Sequence, residues 1–391
     1  MTISRRRFVR AAAATAAATL LERWLAAQTV PSIDGGRLVR TMPLGRFDRR
    51  PAPPLHVRLG SGLDARQFTD LSILDGADLV TPTSRFYIRT AHPPGLPSAD
   101  TWQITIAGQS IQDQSLTLPA LEKESRDVGI RLLECAGNVD PANFGLLSAA
   151  AWSGVPMAAV FDRVASLGPS SRIRITGIDD EQRQSVTSTP GASWVFTRAE
   201  LESRRAFLAT GMNGAPLPPD HGAPVRLVVP NYYGCSCIKW VSRIDIVSDD
   251  VPATTQMMEF SARTHQDGVP ARARDYVPPA IELAATPVRV EQWIVTRNGQ
   301  ERIVYRVVGV RWGGASRQPP LTIRFRSSDR FVPVSDVPAT DNTATWCLWS
   351  HEWTPDSPGR YQIALSVADR SVPARRLALF YYTREVEIDS V

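Results

Sequence analysis

The sequence predicts an α+β domain over residues 76–250, followed by an all-β domain over residues 288–391. Two observations indicate this division. Strand and helix patterns are mixed in the first region, whereas the second alternates strands and turns without helical periodicity. Between them, residues 251–287 are rich in proline and lack a regular pattern, which predicts a linker. A chain of 391 residues is long enough for two domains, each with its own core.

The α+β domain is predicted from apolar runs that are bounded by turn residues. A helix is expected over Met157–Val164, because Pro156 lies at its first position, where proline is favoured. The predicted strands are Phe86–Arg89, Trp102–Ile106, Gly129–Leu133, Arg172–Thr176, Val225–Val229 and Trp240–Val247.

The all-β domain is predicted from six segments of alternating or buried-strand character. Such a succession of short strands is typical of an antiparallel sandwich. The predicted strands are Val288–Thr296, Arg302–Val310, Leu321–Ser327, Thr343–Trp353, Arg360–Val367 and Arg376–Ile388.

The N-terminus has the pattern of a bacterial export signal. A charged segment, Ser4–Arg10, precedes the apolar stretch Ala11–Leu21, which is too short to span a bilayer that requires about 20 residues. Paired arginines followed by Phe8 indicate the twin-arginine route, and therefore a periplasmic location. An ordinary amphipathic helix is the alternative. We predict a signal at residues 1–27 and an extended arm, rich in proline, glycine and arginine, at residues 28–75.

The charge of the chain argues against a nucleic-acid partner. Five of the 44 basic residues and one of the 39 acidic residues lie in residues 1–27, which leaves a formal net charge of +1 on the remainder. No basic run with interleaved aromatic residues occurs there, so nucleic-acid binding is not expected. No later run of 18 apolar residues predicts a membrane span.

Cys135 is the first candidate for chemistry. It follows the predicted strand Gly129–Leu133 and precedes the turn-like Ala136–Asn138, so it lies where a strand end can present a side chain. A thiolate is a ligand suited to soft or high-valent transition metals. The alternatives are a buried apolar cysteine, or a nucleophile with His221 or His265 as its base. Four scattered cysteines form no disulfide framework, and no Cys-x-x-Cys-His motif for c-type haem occurs; the cysteines are Cys135, Cys235, Cys237 and Cys347.

Two further segments have the composition of an anion site. The chain has only two lysines, Lys123 and Lys239, and Lys239 follows the turn-like segment Asn231–Ile238, whose amides could bind phosphate together with the ammonium group. His221 and Arg226 flank a Gly-Ala-Pro turn, and this pair suits a phosphate or the edge of a pterin. The alternatives are a solvated lysine and a purely structural turn.

These segments, in this order, resemble the sulfite oxidase family of molybdopterin-dependent oxidoreductases. The resemblance runs from about residue 78 to the end of the chain and is weaker in the second domain. The matching stretches are Thr81-Pro82, Phe86–Arg89, Glu134–Asn138, Trp152–Pro156, Met212–Gly214, Leu217-Pro218, Asp220–Pro230 and Ile238–Trp240.

The resemblance implies a molybdenum cofactor and a set of residues that bind it. Cys135 would be the single protein thiolate on molybdenum, and the pterin dithiolene would supply two more sulfur ligands. Arg89 would also face an anionic substrate. The second domain would be immunoglobulin-like, of the type through which relatives form homodimers. The implied cofactor-binding residues are Tyr87, Ile88, Arg89, Thr90, Ala91, Asp179, His221, Arg226, Cys237, Ile238 and Lys239.

The chain departs from the family at positions that concern the substrate. Val139-Asp140 stands where relatives have a pair of arginines after Cys-Ala-Gly-Asn, so one cation is missing. The family's active-site tyrosine has no clear counterpart, and within Phe260–His265 the nearest candidate for its place is His265. The Trp-Asn-x-x-Gly stretch near the C-terminus is also absent. We therefore expect a weaker oxyanion pocket, with Cys135, Arg89 and His265 as the catalytic set.

The sequence favours an exported oxidoreductase that works by oxygen-atom transfer, with sulfite or a related small sulfur compound as substrate. No haem or flavin motif is present, so electrons would pass to a separate carrier such as a cytochrome c. One alternative runs the chemistry in reverse and reduces S-oxides or N-oxides. Another is a cofactor-free periplasmic binding protein, which the retained Cys135, His221, Arg226 and Lys239 argue against.

Overall fold

The structure is a computed structural model that describes residues 32–46, 52–75, 79–90, 95–108, 112–164, 167–168, 170–178, 191–314, 320–335 and 344–391. The predicted signal at residues 1–27 lies outside these ranges. Contacts divide the chain into two compact units. The larger unit comprises Ala52–Thr69 and Thr81–Ile281, and the smaller unit contains the described parts of Met1–Pro51, Asp70–Val80 and Glu282–Val391. No helix in the described ranges is long and apolar enough to cross a membrane.

The larger unit is rich in sheet and has few helices. Three sheets occur in it, with strand orders β11-β10-β15-β6-β7, β13-β12-β9-β8 (β14 also pairs with β12) and β3-β4-β5. The pairs are antiparallel except for the parallel pair of β15 and β6. Numbered along the chain, the strands are β3 (Leu59–Ser61), β4 (Asp64–Gln67), β5 (Ile88–Arg89), β6 (Gln103–Gly108), β7 (Gln114–Thr117), β8 (Arg126–Glu134), β9 (Leu147–Pro156), β10 (Arg172–Gly177), β11 (Ser193–Thr197), β12 (Phe207–Met212), β13 (Ala215–Pro216), β14 (Arg226–Val228) and β15 (Val241–Val247).

Short helices connect these strands. The helix Met157–Phe161 begins directly after Pro156, as predicted, but ends before Val164. The helix Arg198–Ser203 begins with a capping box, in which the Thr197 side chain and the Glu200 side chain each bond the other residue's backbone N–H. The other helices of four or more residues in this unit are Leu118–Glu124 and Thr255–Glu259.

The predicted strand Phe86–Arg89 is mostly irregular. A 3-10 turn occupies Thr83–Arg85 after Pro82, and only Ile88–Arg89 (β5) pairs as strand. Phe86 N–H donates to Pro82 O at 2.9 Å and Tyr87 N–H donates to Ser148 Oγ at 3.0 Å, so only the last two residues are left to pair in a ladder. Pairing of β5 with β4 sets Arg66 opposite Arg89.

Two segments predicted as irregular belong to the larger unit instead. Residues 52–69 lie in the predicted arm 28–75, yet they contain β3 and β4. Residues 251–281 lie in the predicted linker 251–287, yet their backbone is paired: Tyr233 N–H donates to Pro279 O at 3.0 Å, and Ile281 N–H donates to Asn231 O at 2.9 Å. Prolines remove the periodicity from which an element would be predicted, but the remaining backbone groups find partners.

The smaller unit consists of two antiparallel sheets. Their strand orders are β1-β16-β17-β20 and β19-β18-β21-β22-β2. The ring of Trp353 on β20 stacks on Phe325 at 4.0 Å and meets Tyr361 on β21 edge-on at 4.7 Å, so aromatic packing links the sheets. The strands are β1 (Gly36–Pro43), β2 (Gly45–Arg46), β16 (Ala284–Arg297), β17 (Gln300–Trp312), β18 (Leu321–Arg324), β19 (Val332–Pro333), β20 (Cys347–Trp353), β21 (Gly359–Val367) and β22 (Arg384–Ile388).

The prediction of a single strand over Arg376–Ile388 is wrong in its first half. A short helix, Arg375–Ala378, precedes β22 and buries Leu377. The alternation of basic and apolar residues in this segment suits a strand as well as one helical turn, so the sequence pattern does not distinguish them.

A buried charge cluster lies within the smaller unit. The Glu291 carboxylate accepts hydrogen bonds from Arg289 Nε at 2.8 Å, Arg306 Nη2 at 2.6 Å and Trp293 Nε1 at 3.1 Å. Burial raises the pKa of the Glu291 carboxyl, but hydrogen bonds from Arg289 and the charge of Arg306 outweigh it and lower that pKa below its usual value.

We expect Glu291→Ala to lower the free energy of unfolding by about 3–5 kcal/mol, because it leaves the charge of buried Arg306 without its carboxylate. Urea denaturation at neutral pH measures the change. The matched control is Glu352→Ala, which removes an exposed ion pair with Arg297 and should cost less than about 1 kcal/mol. Because the pKa of Glu291 is lowered in the folded state, the wild type holds this stabilisation above the ordinary carboxyl pKa and loses it as pH falls, so the difference from Glu291→Ala should shrink at acid pH. An equal decrease in the free energy of unfolding in both variants would show that the buried cluster stabilises the fold no more than an exposed ion pair does.

Candidate active site

A single pocket of about 910 Å³, including its open mouth, brings most of the predicted site residues together in the larger unit. The predicted residues that line it are Tyr87, Arg89, Thr90, Cys135, His221, Arg226, Cys237, Ile238 and Lys239. Lining residues that the sequence analysis did not single out include Phe86, Cys235, Trp240, Gln256 and Phe260.

Cys135 is presented by a tight turn at the end of β8. Its backbone N–H donates to Leu146 O at 3.0 Å, and Asn138 N–H donates back to Cys135 O at 2.9 Å. Gly137 N–H points at the sulfur, with N to Sγ 3.4 Å. The residue is only 8% exposed, yet its side chain lines the pocket. The strand end therefore fixes the thiol at the pocket wall, as the sequence predicted.

The turn is held by the side chains on either side of Cys135. Asn138 Oδ1 accepts the N–H of Leu146 at 3.1 Å, and Asn138 Nδ2 donates to Glu134 Oε1 at 3.3 Å. Glu134 and Asn138 are fully buried. Because these bonds cross the turn in both directions, the orientation of the thiol is fixed before any ligand binds.

Burial raises the pKa of the Cys135 thiol, while the Gly137 N–H and the charges of Arg89 and Arg263 act against that rise. A bound metal cation would reverse the balance, because a coordinating thiol loses its proton. In the described ranges, no three His, Cys, Asp or Glu side chains are placed to hold a metal ion together.

Arg226 provides a buried cation at the start of β14. Its Nη1 donates to His221 O and its Nη2 donates to Cys237 O, both at 3.1 Å. The Nε atom has no hydrogen-bond partner among the described residues, although Arg226 is only 3% exposed. A buried, unsatisfied N–H on a cation that lines a pocket is the property expected of a group that awaits an anionic ligand.

Lys239 lies beside it. Lys239 Nζ donates to Asp220 O at 2.5 Å and to Arg89 O at 3.4 Å. Burial, and then the charge of Arg226, lower the pKa of Lys239 well below its ordinary value. Gly222, at φ +103°, allows this approach, because a side chain there would meet the Lys239 side chain at 3.1 Å.

His221 is held in its neutral form. Its ring meets Phe86 edge-on at 5.3 Å and is 3% exposed. Burial, and then the charge of Lys239, lower the pKa of His221 to about 3. The imidazole therefore donates or accepts hydrogen bonds in the pocket without adding a third positive charge.

Several predicted residues contribute backbone or packing rather than a reactive side chain. The Thr90 hydroxyl is engaged with Ala65, at 3.0 Å from its N and 3.2 Å from its O. The Cys237 thiol is 3.4 Å from Val229 N. Predicted Ala91 and Asp179 lie outside the described residues.

His265, which was expected to line the site, is not among the residues that line this pocket. It follows the turn Ala262–Thr264 at φ 62°, and its ring meets Tyr233 edge-on at 6.4 Å. Phe260 of the same segment lines the pocket. The sequence analysis also missed Arg263, whose charge acts on both Cys135 and Arg89. No motif marks either Phe260 or Arg263.

The geometry fits a phosphate-bearing metal cofactor. One fixed thiol and two buried cations line the same pocket, and neither Arg226 nor Lys239 forms an ion pair with any described carboxylate. Asp220, the nearest acid on this side, has its carboxylate paired with Arg58. Arg226 and Lys239 could therefore bind a phosphate group in the pocket that Cys135 also lines.

Comparisons with known proteins agree with this site. The family described as "Oxidoreductase molybdopterin binding domain" matches residues 91–255. Over 200 residues the chain is 31% identical to the mitochondrial sulfite oxidase of Rattus norvegicus, which covers 46% of this chain and 35% of that protein. Over 161 residues it is 30% identical to the protein-methionine-sulfoxide reductase catalytic subunit MsrP of Xanthomonas campestris pv. campestris, covering 39% of this chain and 47% of that one. The chain thus spans less than half the length of either relative.

The fold is also similar to that of the sulfane dehydrogenase SoxCD from Paracoccus pantotrophus. The TM-score is 0.59 at 15% identity, and the match covers 87% of this chain and 93% of that one. At this identity the likeness concerns the fold alone.

We expect the cofactor-free protein to lose stability as pH falls from 6.5 towards 3, because unfolding lets His221 take up a proton that the folded state excludes. His221→Gln should remove about 2 kcal/mol of the loss between pH 7 and pH 5. Denaturant titrations of both proteins at the two pH values measure it. His351→Gln, at a half-buried histidine of the smaller unit whose pKa burial also lowers, is the comparison and should change the pH dependence less than His221→Gln does. Parallel pH profiles for wild type and His221→Gln would contradict the buried neutral imidazole.

Proposed function

Since this chain belongs to the sulfite oxidase family of molybdopterin-dependent oxidoreductases, we propose that it is an exported enzyme of oxygen-atom transfer that acts on sulfite or a related small sulfur compound. The observation that carries the proposal is the convergence of the Cys135 thiol with the buried cations Arg226 and Lys239 in one pocket. The match to the molybdopterin-binding domain and the fold similarity support the same cofactor.

Each residue has a distinct role in this proposal. Cys135 supplies the one protein thiolate to molybdenum. Arg226 and Lys239 hold the pterin phosphate, and neutral His221 bonds the pterin edge without repelling these cations. Arg89, whose guanidinium is near Cys135, faces the substrate. Tyr87, Thr90, Cys237 and Ile238 line the pocket, and we propose that they shape it through packing and backbone groups. Ile88, Ala91 and Asp179 remain predicted cofactor contacts.

When bound, the molybdenum–pterin group supplies a two-electron change coupled to transfer of an oxo group. The protein binds and orients the substrate and keeps the site partly dry. Phe86 and Trp240 line the pocket as buried aromatic rings, and they exclude water from the side where the cofactor would lie. A low-dielectric wall strengthens every charge interaction inside the pocket.

The electrons require an acceptor outside the described pocket. The sequence contains no recognised haem or flavin motif, so we propose a separate carrier such as a cytochrome c. The twin-arginine pattern supports a periplasmic location for the proposed enzyme and its carrier. The smaller unit, with its two antiparallel sheets, is proposed to be the immunoglobulin-like domain of a homodimer.

The reverse reaction is the second candidate. One relative carries the name of a methionine-sulfoxide reductase subunit, so reduction of an S-oxide or N-oxide fits the same scaffold. Turnover of sulfite with ferricyanide, against turnover of methionine sulfoxide with reduced viologen, tests the two directions. A rate with the sulfoxide alone would reject the oxidase proposal.

Cys135→Ser should lower turnover by roughly 100-fold or more, because a neutral hydroxyl cannot replace a soft thiolate. The measurements are sulfite oxidation by ferricyanide and molybdenum content by mass spectrometry. Cys235→Ser is the matched comparison, because this thiol lines the same pocket and is not assigned to the metal. Full activity in Cys135→Ser, or loss of molybdenum only from Cys235→Ser, would reject the ligand assignment.

Lys239→Met should reduce both pterin and molybdenum content about 10-fold, because it removes a charged phosphate contact but keeps the length of the side chain. The KM for sulfite of the loaded fraction should not change. The chain's only other lysine, Lys123, is exposed on the helix Leu118–Glu124, and Lys123→Met serves as the control. An unaltered cofactor content in Lys239→Met would remove this residue from the phosphate site.

A further inference from the structure

Two arginines from separate segments, Arg89 and Arg263, lie near Cys135, and a third, Arg66, lies beside Arg89. Arg66 lies on β4 directly opposite Arg89 on β5, and opposed residues of an antiparallel pair project from the same face. Arg263 comes from the segment after β15, in the turn Ala262–Thr264. Burial first, and then the charge of Arg66, lower the pKa of Arg89, and the charge of Arg263 lowers it further. Arg66 and Arg263 are therefore both close enough to Arg89 to repel its guanidinium.

Arg263 is the one that faces the metal-binding turn. A side chain added to Gly137 would have its Cβ 3.5 Å from Arg263 Nη1 and 3.7 Å from Cys135 Sγ. The guanidinium and the thiol therefore face each other across a glycine. The same guanidinium lies 5.4 Å from the ring centroid of Phe260, which lines the pocket, and this contact orients an otherwise exposed side chain.

Acidic groups offset this charge only in part. The carboxylate of Glu259 acts on Arg89 and raises its pKa, against the effect of the other arginines. Glu134 is fully buried and bonds Asn138 within the turn. The combined positive charge of three neighbouring arginines favours the binding of an anion at this point. A planar guanidinium also presents paired donors that match two oxygen atoms of an oxyanion.

We propose that Arg263 is a specificity-determining residue that binds the oxygen atoms of an anionic substrate beside Cys135, with Arg66 and Arg89 completing the site. The inference rests on the proposed function and deepens it. It restricts the substrate to small oxyanions of sulfur, such as sulfite, rather than neutral sulfoxides. It also accounts for Val139-Asp140, where relatives carry arginines: the missing cation beside the turn is supplied by a different segment of the chain.

The test measures anion binding without turnover. Sulfate, an oxyanion that the enzyme does not oxidise, is titrated into the cofactor-loaded protein by isothermal calorimetry. Arg263→Gln should raise the sulfate Kd about 10-fold, because it removes a charged hydrogen-bond donor. Arg263→Lys should restore part of the affinity, since it retains the charge but not the paired donors. Molybdenum content should equal that of the wild type in both variants.

Two further variants complete the test. Gly137→Ala keeps every charge but places a methyl group between Sγ and the guanidinium, where its contacts of 3.5 and 3.7 Å are compatible with folding; it should also weaken sulfate binding. Arg272→Gln, at an exposed arginine that bonds Asp250, is the control and should bind sulfate as the wild type does. Unchanged sulfate affinity in Arg263→Gln, or no sulfate binding by the wild type, would overturn the proposal. Failure of the proposed function would appear separately, as a protein without molybdenum.

Discussion

The buried cations Arg226 and Lys239 are the constraint on which the rest of the site depends. Taking a charge out of water is costly, and in the described chain these two are bonded to backbone carbonyls rather than carboxylates. The binding of an anionic ligand would offset the free energy of desolvating these two side chains. The positive φ of Gly222 and the neutral state of His221 both serve this arrangement, the first by giving room to Lys239 and the second by adding no charge. Binding an anionic cofactor should therefore stabilise the fold by linkage.

At Cys135, burial and hydrogen bonding determine the protonation and the orientation of the thiol. Burial favours the protonated form of Cys135, so in the absence of a metal the thiol is protected from chemistry rather than activated. Its orientation is nevertheless fixed by the bonds of Asn138 to Glu134 and to Leu146. A preset direction combined with an unreactive state suits a ligand that awaits a metal, and it suits a nucleophile poorly. This contrast separates the proposed metal role from the hydrolytic alternative.

The residues that lie in recognisable motifs could be predicted to belong to one site, whereas Arg263 could not. Cys135, Arg226 and Lys239 lie in or beside regular strands, and His221 ends the 3-10 turn Pro219–His221 before Arg226. Arg263 is in a proline-rich segment without periodicity, so no pattern in the sequence indicates that it lies near Cys135. Strand β4 could not be predicted either, because its four residues are too short to show a strand pattern.

The predictable and the unpredictable residues of the site differ in their proposed chemical roles. The proposed cofactor-binding residues lie in segments that resemble the sulfite oxidase family, whereas Arg263 near Cys135 and Arg66 beside Arg89 lie in segments that carry no such motif. Relatives of similar identity are named for sulfite on one hand and for methionine sulfoxide on the other. Under our proposal, substrate preference would depend on which cations of irregular segments lie near Cys135, and the proposed cofactor-binding residues need not change.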